Sequence, residues 1–399
     1  VGSEMCIRDS STVAYNSVAG AWLQGGKKTN ITAAPGLVSA ALGWEKVESY
    51  DVGLDWGAFN NRLTGSFDYY VRNTKDMVGP APELPALLGT DVPKTNNTDL
   101  RTTGWELQIG WRDHLENGLN YGVTFNVSDA QAKVTRYPNN PTGSLSSYIE
   151  NRKVGEIWGY ETIGIAKTND EMNQHLATLP NGGQSQLGDK WAAGDIMYKD
   201  LDGDGKISNG SNTLADHGDL KVIGNKTPRY LFGLDLTASW KGFDFRAFMQ
   251  GVMKRDYSDA KEFLFGTTDS GVWWAAGITG VQDYFRDSET WSVKNGYESE
   301  NLNAYLPRPQ YSGKNIQPQT RYLLNAAYLR MKNLQIGYTL PQSLVSKAGL
   351  GNVRFFVSAE NLFTITDLPS QFDPETIDTD YGNGYPLSRT FSFGVNVTL

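Results

Sequence analysis

Asp200, Asp202 and Asp204 occupy alternate positions of the run Asp-Leu-Asp-Gly-Asp-Gly-Lys-Ile, which ends at Ile207. Hard cations need several oxygen ligands. Alternate carboxylates around a sharp glycine turn supply them, as in the first half of an EF-hand loop. In that register Lys206 contributes its backbone carbonyl. The twelfth position is Ser211 rather than a bidentate Glu, so Asp216 or Asp219 would have to complete the shell. The spacing therefore predicts a structural calcium, or another hard cation, and the plain alternative is an acidic turn without an ion. No other feature of the sequence requires a cofactor.

A second chemistry is offered by aromatic residues in long polar stretches: Trp158, Tyr160, Trp191, Trp273, Trp274 and Tyr305. Such rings stack on sugar faces or grip peptide side chains. They equally well pack loops together or meet a partner protein, since amphipathic aromatics are enriched at interfaces. Trp56, Trp111 and Trp240, by contrast, lie in alternating segments and read as anchors at a lipid–water boundary. Catalysis lacks a constellation. His114, His175 and His217 have no matched nucleophile, and no Gly-x-Ser-x-Gly elbow occurs, so a non-enzyme is expected. A net charge of -8 without a basic stripe argues against nucleic acid as a partner. The single Cys, Cys6, excludes a disulfide framework.

The elements that carry these residues are strands. Tyr50, Val52, Leu54, Trp56 and Ala58 alternate with Asp51, Gly53, Asp55 and Gly57. The same period of two recurs at Leu63–Val71, Trp105–Trp111, Tyr121–Val127, Tyr230–Trp240 and Phe391–Leu399. The runs extend over about 10 to 18 residues, longer than ordinary strands, with aromatics near their ends. Asn60-Asn61, Glu116-Asn117-Gly118 and Lys241-Gly242 read as tight hairpin turns. Between those turns lie long polar excursions, over 73–100, 137–227, 258–319 and 367–385. Pro341–Gly351 is a short connection with room for a helical turn.

Short and long connections thus alternate, as they do when short periplasmic turns face long extracellular loops. The expected fold class is all-β, a transmembrane antiparallel β-barrel embedded in outer-membrane lipid. No apolar run approaches the length of a membrane-spanning helix, which barrel strands do not need. About ten spanning strands are expected, counting a first one near Thr12–Leu23. Residues 1–10 have neither an apolar signal nor a strand pattern and read as a non-native leader, leaving 11–399 as the barrel portion. An open sheet of that size would leave two unpaired edges in lipid, so either a small closed barrel or part of a larger one is expected.

Eight blocks in order add a family likeness. They are Gly53–Tyr70, Thr103–Leu107, Gly155–Tyr160, Tyr198–Ile207, Gly224–Tyr230, Leu329–Leu334, Ser358–Leu362 and Arg389–Gly394. The chain resembles the C-terminal barrel portion of the SusC/RagA-type TonB-dependent outer-membrane receptors of Bacteroidetes. That resemblance implies a barrel of roughly 22 strands, with this chain as its C-terminal part. It also implies a plug domain and TonB box that lie outside these residues, a SusD-type surface lipoprotein as lid, and energy from the TonB complex. The implied activity is import of oligosaccharides or peptides across the outer membrane. A passive porin or small adhesive barrel is the alternative. Leu399 departs from the Phe that commonly ends such barrels.

Overall fold

The structure is a computed structural model that describes residues 17–32, 42–80, 92–258, 282–310, 312–378 and 387–398, together with Phe265 and Tyr385. In chain order the strands begin with β1 (Ser17–Gln24), β2 (Lys27–Thr32), β3 (Lys46–Ala58), β4 (Leu63–Pro80), β5 (Lys94–His114) and β6 (Asn120–Arg136). Then come β7 (Glu156–Tyr160), β8 (Thr162–Ile165), β9 (Ile196–Tyr198), β10 (Leu220–Asn225), β11 (Arg229–Trp240) and β12 (Phe243–Lys254). The last are β13 (Asp256–Tyr257), β14 (Leu324–Asn325), β15 (Tyr328–Thr339), β16 (Asn352–Glu360), β17 (Thr364–Thr366) and β18 (Thr390–Thr398). Among the described residues three short helices, α1 (Asn169–Ala177), α2 (Trp291–Lys294) and α3 (Gln342–Val345), sit in connections.

One ten-stranded sheet organises the chain, in the order β18-β16-β15-β12-β11-β6-β5-β4-β3, with short β17 beside β15. Every neighbour on that path is also the next long strand in sequence. This is an up-and-down meander. The fold is all-β, and no helix among the described residues is long and apolar enough to cross a membrane.

Contacts divide the chain into two compact units, one of residues 1–52, 69–104 and 131–154, the other of 53–68, 105–130 and 155–399. In the second unit the register shows why the alternation matters. Tyr121 faces Ala238, which faces Phe245, and the row continues through Ile336, Val357 and Phe393. One residue along, Gly122 is followed across the strands by Thr237, Arg246, Gln335, Ser358 and Ser392. The ladder therefore sorts a whole apolar row to one face and a whole polar row to the other.

The apolar row is not covered by protein. Ile336 is 47% exposed, Val357 43% and Phe393 82%. A water-soluble sheet hides its apolar face against a second layer. Here that face is left open and needs a hydrocarbon solvent instead. The polar rows carry the charges, where Arg246 pairs with Asp235 at 2.7 Å and Arg354 with Asp244 at 2.6 Å.

Turn chemistry holds the meander in register. Phe59, Asn60 and Asn61 all adopt left-handed φ (54°, 56° and 62°), which Asn tolerates better than most residues. Lys241 and Gly242 likewise have φ of 47° and 88°, the signature of a two-residue hairpin. Gly251 is required for a different reason, since a Cβ there would run into the carbonyl oxygen of Tyr328 on β15. The expected helical turn after Pro341 is present as α3, followed by a 3-10 turn over Ser346–Ala348.

Two expectations are corrected. The excursion expected over 73–100 is mostly strand, because β4 runs on to Pro80 and β5 begins at Lys94. Polar side chains allow this extension, since outside the hydrocarbon a strand needs no apolar face. In the first unit Arg136 ties the extensions together, at 2.9 Å from both Asp76 and Asp99. The strand expected near Thr12–Leu23 appears as β1, which among the described residues pairs only with β2 in a separate hairpin. Nine long strands and short β17 therefore make up the sheet.

The two faces give opposite mutational expectations. Val357→Arg places a charge on the lipid-facing row and should cost about 2–4 kcal/mol at mid-membrane depth. Ser358→Arg, one residue away on the polar face, should be nearly neutral. Urea unfolding of the receptor refolded into bilayers, read by heat-dependent gel migration, measures both.

Candidate functional site

Within the second unit, residues 155–227, 282–310 and 312–325 form a folded body between strands of the sheet. Its centre is Asp195, in the turn leading into β9 and fully buried. Its carboxylate accepts from Lys314 Nζ at 2.8 Å, Gln310 Nε2 at 2.8 Å and Asn315 Nδ2 at 3.0 Å. Arg308 Nη2 lies at 3.2 Å, and the Ala192 N–H donates at 2.9 Å. Lys314 is only 2% exposed, yet its three protons are all used: Asp195, and the carbonyls of Asp189 and Lys190 at 3.0 Å each. Its ammonium also lies 4.7 Å from the ring centre of Trp191.

Tyr198 on β9 extends this centre. Its hydroxyl donates to the Lys314 carbonyl at 2.8 Å, and its N–H donates to buried Gln184 at 2.7 Å. Burial pushes the phenol well above tyrosine's ordinary range. Beside it, burial and the charge of Asp219 push Tyr160 up to about 12. Both phenols stay neutral, and that of Tyr198 serves as a donor.

The acidic loop lies next along the chain. Carboxylate oxygens of Asp200, Asp202 and Asp219 come within 4.8 Å of one another. Asp204 is not in that group; it accepts from the Lys206 N–H and pairs with the Lys206 ammonium at 3.2 Å. Gly203 and Gly205 donate their N–H groups to Asp200 at 2.6 and 2.9 Å, both glycines with φ of 78°. Asp219 is buried and accepts from the N–H groups of Leu201 and Ser208 at 2.6 and 2.8 Å. Desolvation, then the charges of Asp202 and Asp200, raise its carboxyl above the ordinary range. Of the two completing ligands that the spacing left open, the fold brings Asp219 to the cluster. Asp216 instead holds Ser211, at 2.5 Å from its hydroxyl.

The aromatic candidates scatter. Tyr160 is 3% exposed and packs on Tyr198 at 5.3 Å, so it presents no face to a ligand. This corrects its expected contact role: its ring is enclosed by the loop body. Trp191 is half-buried, edge-on to Tyr198 at 6.3 Å, with its indole N–H on the Gly188 carbonyl. Trp158 is half-buried against His217 at 5.5 Å. Tyr305 is 39% exposed and edge-on to Tyr322 at 5.4 Å. Trp273 and Trp274 lie outside the described residues.

A third feature is a cavity of about 760 Å³ on the polar face, near the short turns. Arg62, Arg112, Asp113, His114, Asp244 and Arg246 are among its walls. Spacing alone revealed none of its pairs, and the same is true of Asp195, whose partners lie 113 to 120 residues further on. Only its isolation among small and apolar neighbours, Ala192-Ala193-Gly194 and Ile196, marked it as a carboxylate bound for the interior.

A meander with one lipid-facing and one polar face, and with its folded connections on the long-loop side, is the wall of an outer-membrane β-barrel. Residues 11–252 match the family described as TonB dependent receptor-like, beta-barrel. TonB-dependent receptor P3 of Formosa agariphila is 30% identical over 381 residues, which cover 89% of this chain and 34% of that protein. TonB-dependent receptor SusC of Bacteroides thetaiotaomicron is 23% identical over 384 residues, covering 92% of this chain and 33% of SusC. The solved structure of the RagAB peptide transporter superposes with a TM-score of 0.68 at 23% identity, over 98% of this chain and 39% of that one. The chain belongs to the TonB dependent receptor-like beta-barrel family, and spans about a third of the length of the curated relatives it matches.

The Asp195 centre sets a direct expectation. Asp195→Asn leaves the Lys314 ammonium buried without its counter-charge, which should destabilise the loop body by about 3–5 kcal/mol. Limited proteolysis should then cut within 155–227 while the membrane strands stay protected.

Proposed function

We propose that this chain is part of the barrel wall of a TonB-dependent importer of oligosaccharides or peptides. The observation that carries this reading is the folded loop body on the long-connection side of a polar-faced wall. A passive pore needs an open mouth and gains nothing from connections of 92 and 73 residues (137–228 and 255–327) organised around a buried ion pair. A receptor needs a shaped outer surface, and loops on a rigid scaffold supply one. Family membership adds to this, since relatives of the same family are receptors. Energy coupling would come from the TonB complex acting on residues outside this chain, and a SusD-type surface lipoprotein would cover the loops. Of the loop aromatics that the sequence offers as substrate contacts, Trp158, Trp191 and Tyr305 stay partly exposed. Tyr305 is the most exposed of them.

The test is uptake in cells that carry the intact receptor as the one route for a candidate oligosaccharide or peptide. Loss of TonB should abolish accumulation. Undiminished uptake without TonB would mean a passive pore.

The acidic loop is read as a structural calcium site formed by Asp200, Asp202 and Asp219. Ionised Asp219 is costly where it stands, because its carboxyl is raised in the fold. Its neutral form stabilises the loop fully below the ordinary carboxylate pKa, and that contribution is lost as pH rises through the raised value. A bound cation reverses the balance by neutralising the cluster. Calcium at neutral pH should therefore raise the melting temperature of the loop body, and Asp219→Asn should remove most of that rise. An equal response in the variant would show that calcium acts elsewhere.

A further inference from the structure

The segment 282–310 is anchored at its base and open at its tip. Phe285, 1% exposed, packs with Ala193 and Ala304, and its N–H donates to the Leu306 carbonyl at 3.0 Å. Arg286 and Asn301 exchange both backbone hydrogen bonds, at 3.2 and 2.7 Å. Beyond that closure the chain forms a tip whose backbone bonds to itself. Lys294 N–H donates to Thr290, Asn295 to Trp291, Gly296 to Val293 and Tyr297 to Ser292, all within 2.9–3.1 Å. The Thr290 hydroxyl donates to Asp287 at 2.8 Å, and Glu298 accepts from the Tyr284 hydroxyl at 2.6 Å.

This well-bonded tip presents two rings to water. Trp291 is 70% exposed and Tyr297 72%, and they stack on each other at 5.4 Å and 17°. Solvent-facing Trp–Tyr stacks have no folding rationale, because the area they could bury remains wet. Within this tip lie Asp287, Glu289, Glu298 and Glu300, against Arg286 and Lys294, and Arg286 pairs with Glu298 at 3.5 Å. Lys294 is taken up by Glu289 at 2.6 Å. The tip is an aromatic knob with an acidic rim.

We propose that this knob is a docking point for a partner protein whose surface offers an apolar cleft edged by lysine or arginine. Trp and Tyr dominate the energetic centres of protein interfaces, and charged rims set orientation and encounter rate. A sugar would be served by an open platform with hydrogen-bonding forks beside it. Here the two rings cover one another's inner faces, and the flanking carboxylates form a net negative border. The inference rests on the reading of a surface lipoprotein partner and assigns that partner's contact on this chain.

The experiment uses the intact receptor purified from the outer membrane and the purified surface lipoprotein encoded beside its gene. Binding is measured for wild type, for Trp291→Ala/Tyr297→Ala, and for Glu289→Lys/Glu300→Lys, at low and high salt. The aromatic variant should bind about tenfold more weakly or worse, and the charge variant should lose the salt dependence and associate more slowly. Unchanged binding by both variants, with heat-dependent migration intact in all three proteins, overturns the docking assignment and leaves the partner reading standing. If wild type itself does not bind the lipoprotein, the partner reading falls and the assignment with it. If the aromatic variant instead loses binding to a free oligosaccharide while still holding the lipoprotein, the knob is a substrate contact and the proposal is wrong.

Discussion

In hydrocarbon, a peptide group without a hydrogen-bond partner costs several kcal/mol, and water cannot supply one. The rest of this structure follows from that constraint. Each long strand must give its N–H and C=O groups to its neighbours, so the strands pair in sequence order through short turns. Pairing fixes the register, and register sends alternate side chains to opposite faces. The row from Tyr121 to Phe393 and the row from Gly122 to Ser392 are the two consequences, one lipid-facing and one polar. Turn residues serve the same end: Phe59–Arg62 around Asn60-Asn61 and the two-residue turn Lys241-Gly242 reverse the chain and keep the ladder in step.

Outside the hydrocarbon the rules relax, and charge takes over the work of holding the chain together. Strand extensions are joined by Arg136 with Asp76 and Asp99. The loop body is organised by a buried carboxylate and a buried ammonium, Asp195 and Lys314. Such a pair contributes little net stability by itself, because desolvation offsets its attraction. What it supplies is a single arrangement: Lys314, Gln310, Asn315, Arg308 and the Ala192 N–H all converge on the Asp195 carboxylate, and another packing of the loops would strand it. A surface meant to recognise something needs that uniqueness more than it needs stability. The Trp291–Tyr297 tip stands on a base closed by the Arg286–Asn301 backbone pair.

Legibility in the sequence followed the range of the interaction. The strands could be read because period-two alternation is local, and the turns because Asn and Gly carry their own backbone preferences. Strand ends were harder to place. Above the membrane Asn73, Lys75 and Asp99 look like loop residues, although they stand in β4 and β5. The acidic motif at Asp200 announced itself, yet Asp204 turned to Lys206, and Asp219, far outside the motif, came in through the fold. The Asp195 centre draws on partners more than a hundred residues away, and no local pattern records that. Among the aromatics, composition could say that rings were present, while only packing decided that Tyr160 is enclosed and Trp291 open.

Adjacent residues of one strand see lipid and water in turn, and site-directed labelling measures this. With Cys6 replaced, single cysteines at Leu236 and Thr237 on β11 are placed in the receptor in bilayers. The cysteine at 236 should be quenched by nitroxide-labelled lipid and ignored by a membrane-impermeant maleimide. The cysteine at 237 should react with the maleimide and escape the quencher. Equal access of both positions to the aqueous reagent would contradict a membrane-spanning wall.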